Sequence, residues 1–493
     1  MNFRVTSCIV SRVALVLFAV LGASGTCAQA LLEPGDSRLR SDIELLADER
    51  VIDLPLMTWP IPVDMLSAAM DGVAAPNADA RTLLAAFYRV QRVLEEREAE
   101  RTLVAEASLS DHPERLRTFE DTPRTAEGAS LAASRVAEHW DGTLKVGFAG
   151  APQDGEPLRF DGSYLQGVLG NWLVGAYAVD RWWGPGWDGS LVLGNAARPI
   201  PGLALSRRTA PRPTSLWFRW LGAWNATMIV GKLSGRTDIA SPEFIGLRAT
   251  AKPTAWLELA ASRTIILCGS GAHCSASTWL NKIDGQHFYG SAVANPSVQV
   301  AGFDARINSP WRKLPVAAYA QLIGADAVGG FPQDYFALYG AEAWHEIFRD
   351  ALIRAHVEWA DTSCRYYDSP PKWNCAYADA KFTQGDTYRG FSTADSLYQD
   401  AEVLSAGIDV TQANGQYWGV NARAGALDRT PGGDPNNPVS ATRQQIRELV
   451  GSWRRTIGDH SFSLSLGALH SVDPYQATSK NPLEAYASWS HRL

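Results

Sequence analysis

The sequence predicts an all-β membrane barrel of about 18 antiparallel strands with a small N-terminal α-helical domain. Three observations carry this. From about Leu131 onward, apolar residues recur at every second position and no helical pattern is interleaved. The alternating runs often reach about eight to twelve residues, longer than strands of soluble sheets. The chain also holds 18 Trp, 15 Tyr and 16 Phe, a usage that suits aromatic girdles better than a soluble enzyme. So long a sheet must close to remove its edges, and in lipid it has no other choice. At roughly 20 residues per strand and connection, it holds about 18 strands.

Residues 1–30 read as a secretory signal peptide, with Arg4 and Arg12, an apolar run from Val13 to Leu21, and Ala28-Gln29-Ala30 for cleavage. Cys27 raises a lipoprotein alternative that the preceding Ser24-Gly25-Thr26 suits poorly. Beyond the leader no apolar run approaches twenty residues, so no transmembrane helix is predicted. With 45 Lys+Arg against 52 Asp+Glu, the chain lacks the basic balance of a nucleic-acid partner.

Residues 31–110 are expected to form the helical domain. Leu39 to Arg50 places Ile43, Leu46 and Ala47 on one face, with Ser41 or Asp42 able to cap it. Pro55, Pro60 and Pro62 enforce an extended link, and Asp64 to Asp71 reads as a short helix. Asp79 to Ala107 is the longest helical pattern, striped by Leu83, Phe87, Val90 and Leu94. Its charge run from Arg92 to Arg101 reads as a solvated face. Residues 111–130 read as a linker, and 131–493 as barrel.

The barrel strands declare themselves by alternation. Leu404, Ala406, Ile408 and Val410 oppose Ser405, Asp409 and Thr411, and Asn414-Gly415 then turns the chain into Trp418, Val420, Ala422 and Ala424. Ile245, Leu247 and Ala249 lead to a turn at Lys252-Pro253 and a return through Leu257, Leu259 and Ala261. Ile353, Ala355, Val357 and Trp359 alternate with Arg354, His356 and Glu358. Arg248, Glu258, Asp304, Arg306, Arg354 and Arg423 then face the lumen. Leu483 to Leu493 is the last strand and ends on Leu rather than the usual Phe or Trp.

Catalytic signals are weak. There is no G-x-S-x-G elbow and no phosphate-binding G-x-x-x-x-G-K-[ST]. His345-Glu346 and His356-x-Glu358 suggest metal or acid–base chemistry only superficially. Ser465 and His470 lie five apart, on opposite faces of one strand. No catalytic residue, metal or cofactor is assigned. The cysteines outside the leader fall into two close pairs, Cys268 with Cys274 and Cys364 with Cys375, which an oxidising compartment should convert to disulfides on extracellular loops. Crossed pairing is the rival, and the spacing around His273-Cys274 is unlike a zinc site.

Asp180 to Arg208 stands apart. Arg181, Trp182, Trp183, Gly184, Pro185, Gly186 and Trp187 form a turn rigid in backbone and heavy in indole, either a sugar-stacking platform or a packing plug. Packing is the commoner use of clustered Trp. RWWGPG (Arg181 to Gly186), Ser190-Leu191 with Asn195, and ARPIP (Ala197 to Pro201) resemble the signature of the Wzi-type capsule assembly family of outer-membrane proteins. So does Leu39 to Pro62, LRSDIELLADERVIDLPLMTWPIP. The resemblance covers essentially the whole chain beyond the leader. It implies an 18-stranded outer-membrane barrel with a periplasmic helical domain, and a lectin-like role in holding capsular polysaccharide at the cell surface. The loop between Cys364 and Cys375 supplies the expected contacts, Tyr366, Tyr367, Lys372, Trp373 and Asn374, since pyranose rings stack on aromatic faces and polar groups meet hydroxyls and carboxylates. The same aromatics also suit an interfacial girdle. The alternative function is a porin-like channel. The expected partners are surface polysaccharide and outer-membrane lipid, with the protein a monomer.

Overall fold

The computed structural model describes residues 30–270, 275, 277, 279 and 297–493, except positions 237, 312, 329–330, 349, 380, 475–477 and 481. The expected leader therefore lies outside the described residues up to position 29.

Three helices open the described chain: α1 (Ser37–Asp48), α2 (Val63–Met70) and α3 (Arg81–Glu98). Asp36 caps α1 by accepting the Leu39 N–H at 3.0 Å. The expected caps, Ser41 and Asp42, lie inside the helix, and Asp42 instead receives the Arg89 guanidinium of α3 at 2.6 and 2.7 Å. The buried stripe of α3 is Ala86, Phe87, Val90 and Leu94. The proline-rich link is extended, pairing Leu31–Leu32 with Ile61–Pro62.

The expected helix to Ala107 is corrected: α3 stops at Glu98, and Arg101–Ser110 is a barrel strand. It pairs with the next strand, at residues 127–135, and with residues 486–492, far away in sequence. The charge run obscured the change of period, and long-range pairing then decided the conformation.

Eighteen strands close the barrel among the described residues. They are β1 (Arg101–Ser110), β2 (Glu127–Val136), β3 (Trp140–Gly150), β4 (Ser163–Leu169), β5 (Trp172–Ala178), β6 (Gly202–Arg207), β7 (Ala223–Lys232), β8 (Glu243–Thr254) and β9 (Leu257–Leu267). They continue as β10 (Ser297–Asn308), β11 (Val316–Val328), β12 (Phe331–Ile347), β13 (Ala351–Asp361), β14 (Glu402–Gln412), β15 (Tyr417–Leu427), β16 (Gln444–Ile457), β17 (His460–Asp473) and β18 (Leu483–Arg492). Short stretches Leu158–Arg159 and Thr478–Lys480 extend the pairing beside β4 and β18. Each strand pairs antiparallel with its sequence neighbours, and β18 closes on β1 with Trp489 opposite Ala107. The β8 turn comes later than Lys252-Pro253, at residues 255–256. A register shift between Ala251 and Thr254 accommodates Pro253, which has no N–H to give the ladder.

Alternation fixes what each face meets. On β13, Arg354, His356 and Glu358 are buried inside, while Val357 is exposed outside. Arg248, Glu258, Asp304 and Arg423 are likewise buried inward. The two ends differ. One end has mostly short turns, such as 255–256 and 413–416; α1 and α3 sit there, with Arg38 donating to Gly415 O at 3.0 Å and Arg89 to Gln412 O at 3.2 Å. The other end carries the long connections, including 111–126, 179–201 and 362–401.

Residues 111–130, expected as a linker, instead send the stretch from Leu116 to Phe119 into the barrel and begin β2 at Glu127. Leu116, Arg117 and Phe119 are buried there, and Phe119 donates its N–H to Trp187 O at 2.9 Å.

Candidate functional site

The Trp-rich turn is the hub of the interior. Trp182, Trp183 and Trp187 are 2%, 0% and 3% exposed, so these indoles present no open face to a sugar. Trp182–Trp183 pairs antiparallel with Thr58–Trp59, so the two distinctive stretches of the sequence form one small sheet. Arg40 of α1 fastens the turn by donating to Pro185 O at 2.6 Å and Gly186 O at 2.7 Å. Its guanidinium lies 4.0 Å from the centre of a Trp187 ring. The His356 ring stacks on Trp187 from the barrel wall, at 5.7 Å and 13°.

The wall supplies acceptors for the irregular backbone. Glu358 accepts the N–H groups of Trp187, Asp188 and Gly189, and the Tyr319 hydroxyl at 2.7 Å. A turn packed inside a barrel needs protein acceptors for its donors, and a carboxylate aimed at three of them supplies these. His356 Nε2 lies 2.9 Å from Asp188 Oδ2. Burial would raise the Asp188 carboxyl, but His356, with Arg423 behind it, outweighs that and holds it below the ordinary range. The pair His356 and Glu358 thus serves the turn. His345 and Glu346 point to opposite faces, and Glu346 accepts the Thr82 hydroxyl at 2.8 Å.

A second buried network holds α1. Arg306 meets Asp48 at 2.8 Å and Glu342 at 2.8 Å, and Arg354 meets Glu342 at 2.7 Å. A cavity of about 60 Å³ remains beside the turn, bordered by Glu120, Asp188, His356, Asp409 and Arg423. It is small against an open pore.

The loop 362–401 carries the expected contact residues. Cys364 and Cys375 form a disulfide. Cys268 is also disulfide-bonded, and Cys274, its expected partner, lies outside the described residues. Tyr367 is exposed, as are Lys372 and Asn374; Tyr366 and Trp373 are half-buried. Tyr366 shares a hydroxyl contact of 2.6 Å with Tyr339 and packs edge-on against Trp359, 5.8 Å between centres. Tyr339 and Trp359 are on the outer face of the barrel, so Tyr366 and Tyr367 continue an outward aromatic cluster. Lys372 lies 2.6 Å from Asp334, which also meets Arg365. Trp373 has the Arg429 guanidinium 5.6 Å from its ring centre. The disulfide brings all five onto one loop, though Tyr366–Tyr367 and Trp373–Asn374 have different neighbours.

Sequence reasoning did not foresee Arg40, Gln321 or Glu358 as supports of the Trp-rich turn. Arg40 lay within the quoted Leu39 to Pro62 stretch; the strand residues carried no local signal beyond facing inward.

The profile of the family described as capsule assembly protein Wzi matches residues 105–457. The chain belongs to the Wzi capsule-assembly family. Like that family, it is an outer-membrane protein. An uncharacterised 55.8 kDa Klebsiella pneumoniae protein in the cps region is 30% identical over 356 residues, 72% of this chain and 69% of the relative. Escherichia coli Wzi, described as an outer-membrane, carbohydrate-binding β-barrel involved in group 1 capsule assembly, superposes with a TM-score of 0.82. It is 23% identical, with 94% of this chain and 99% of that one covered, so the likeness establishes the fold. The Wzi-family barrel of this chain is thus built around an internal turn that joins both of its signature stretches.

Proposed function

We propose that this protein binds capsular polysaccharide at the loop end of its barrel and holds it at the cell surface, without catalysing a reaction. Family membership motivates the role. The observation that carries the site is the cross-linked loop: Cys364–Cys375 holds Tyr366, Tyr367, Lys372, Trp373 and Asn374 within one short span, with Tyr367 62% exposed. Pre-ordering by the cross-link reduces the conformational cost of binding. Each contact is weak, and retention comes from a long repeating polymer meeting many copies of the protein.

In this reading the leader is cleaved, residues 31–99 form a periplasmic domain closing the turn end, and the loop end with its disulfides faces outward. The barrel contacts lipid and acts as a monomer. A channel is less favoured, because the Trp-rich turn, the 111–126 segment and α1 occupy the interior.

The test is polymer binding by purified protein, using capsular polysaccharide and, as control, extract from an acapsular strain. Wild-type protein should bind the former alone. The triple variant Tyr366→Ala, Tyr367→Ala, Trp373→Ala should insert normally and bind less. Equal binding by the triple variant refutes the assigned site, and no binding by wild type refutes the role.

A further inference from the structure

The connection between β6 and β7, residues 208–222, exposes a dense cluster of bulky apolar side chains. Leu216, Trp217, Phe218 and Trp220 are 79%, 84%, 58% and 64% exposed. Four bulky apolar residues in a span of five, each more than half in solvent, are costly in water. The stretch ends in a single turn of 3₁₀ helix, Arg219–Leu221, so these side chains project from a short ordered arm.

The arm springs from strands that face lipid. Leu203 on β6 is 54% exposed on the outer face, and Met228 and Val230 on β7 share that face. At the arm's base the outward Arg207 guanidinium stacks 3.6 Å from the centre of a Trp224 ring. The outward apolar residues of β6 and β7 thus lead, through this Arg207–Trp224 pair, to the arm. At the next turns of the same end, Trp311 is 70% exposed and Phe348 is 90% exposed. The arm is also tied to the helical region: Arg208 pairs with Asp64 of α2, and Arg212 with Asp53 at 2.7 Å.

We propose that residues 208–222 are a membrane-surface anchor, with Leu216, Trp217, Phe218 and Trp220 inserted at the headgroup–acyl boundary of the leaflet bordering the turn end. Arg219, between Phe218 and Trp220, is placed to meet lipid phosphate. The arm extends the barrel's hold on the bilayer sideways, and its two ion pairs fix the helical region against the membrane rim. Interfacial segments of this composition bury their apolar face by about 5–10 Å. The occupant is lipid, because the arm continues the lipid-facing belt and lies at the level where barrels carry their aromatic girdle.

Spin-label accessibility in a symmetric phospholipid nanodisc tests this, whichever way the barrel points in the cell. A nitroxide is attached at Trp217→Cys, with label-treated wild type as the blank. Leu466→Cys, on an outward position of β17 that is 72% exposed, is the lipid reference, and Ala75→Cys, before α3, is the water reference. The label at 217 should be relaxed more by oxygen than by a water-soluble nickel complex, as at 466 and opposite to 75. Relaxation chiefly by nickel overturns the proposal. Protection from both reagents also overturns it, because the arm is then covered by protein, such as a second copy. Polysaccharide binding is not read in this experiment, so its outcome is separate from that of the proposed function.

Discussion

Gln321, on strand β11, donates its Nε2 to the carbonyl oxygen of Trp183 at 2.8 Å. Its Oε1 accepts the Leu191 N–H at 2.7 Å, so one wall side chain grips the Trp-rich turn on both sides. Together with Glu358 it supplies the hydrogen bonds that the turn cannot make for itself.

Replacing either grip should loosen the interior while leaving the barrel closed. Each buried group left unpaired costs about 1–3 kcal/mol. Gln321→Leu and Glu358→Ala should both lower the temperature at which the folded band disappears from an unboiled gel, Glu358→Ala more so. Unchanged transitions in both variants would show that the turn is held by packing alone.

Gly407 faces His356 across the β13–β14 pair. A Cβ there would lie 2.2 Å from His356 Cε1, so the ring must leave its stack on Trp187 and its contact with Asp188. Gly407→Ala should cost about 1–3 kcal/mol. Gly451→Ala on β16, where the nearest atom is 3.9 Å away, should cost much less. The measurement is equilibrium unfolding in denaturant for the pair.

Asp36 both caps α1 and meets Arg454 of β16 at 2.8 Å. Asp36→Ala should cost about 0.5–2 kcal/mol for the cap, and more because Arg454 loses a partner. Asp36→Asn should recover the cap component but not the charge component. Equal losses in the two variants would assign the effect to charge alone.

Several carboxyls outside the strands titrate high. Burial pushes Glu33 and Glu120 up to about 7, aided by Asp180 and Asp36 respectively, while Arg454 partly offsets the shift at Glu120. Burial also raises Asp386 to about 7, and Asp395 and Asp400 to about 6. In the unfolded chain such groups titrate near 4. Between about pH 4 and 7 the folded state therefore binds more protons, and stability falls as pH rises through that window. Thermal unfolding should occur at a higher temperature at pH 5.5 than at pH 7.5. Asp36 acts oppositely: burial would raise it, but Arg454, Arg38 and the Leu39 N–H hold it near 2, so its contribution is lost only in strong acid. A higher melting temperature at pH 7.5 than at pH 5.5 contradicts the assignment.

Opening the Cys364–Cys375 link should weaken polymer binding more than it weakens the barrel. The short loop contributes roughly 2–3 kcal/mol in the chain-entropy account. The double variant Cys364→Ser, Cys375→Ser should still insert, with a modestly lower heat resistance, yet release polymer faster in surface-plasmon measurements. Unchanged release would mean that loop order does not govern binding.

The architecture was legible because alternation is local. Ile353 to Trp359 and Leu404 to Val410 reveal two-faced strands without reference to their partners, and Asn414-Gly415 marks their turn. The first strand was missed where that local signal failed. Arg101 follows a helical charge run, and only pairing with β2 and β18 shows that the chain there is extended. The contact residues on the Cys364–Cys375 loop could be proposed from composition; their division between the Tyr339–Trp359 cluster and Arg429 could not.

By itself the sequence determined which residues face lipid, which face inward, where most turns fall, and which family the chain resembles. Each of these is written in spacing or motif, because side chains alternate along a strand whatever the strand later touches. Only the tertiary structure decided what the inward residues do. Arg40 reaches Gly186 across 146 positions, and Glu358 reaches Trp187 across 171. Such partners are chosen by barrel closure, which brings distant strands and internal segments into one water-poor space where every buried charge and N–H must find its complement.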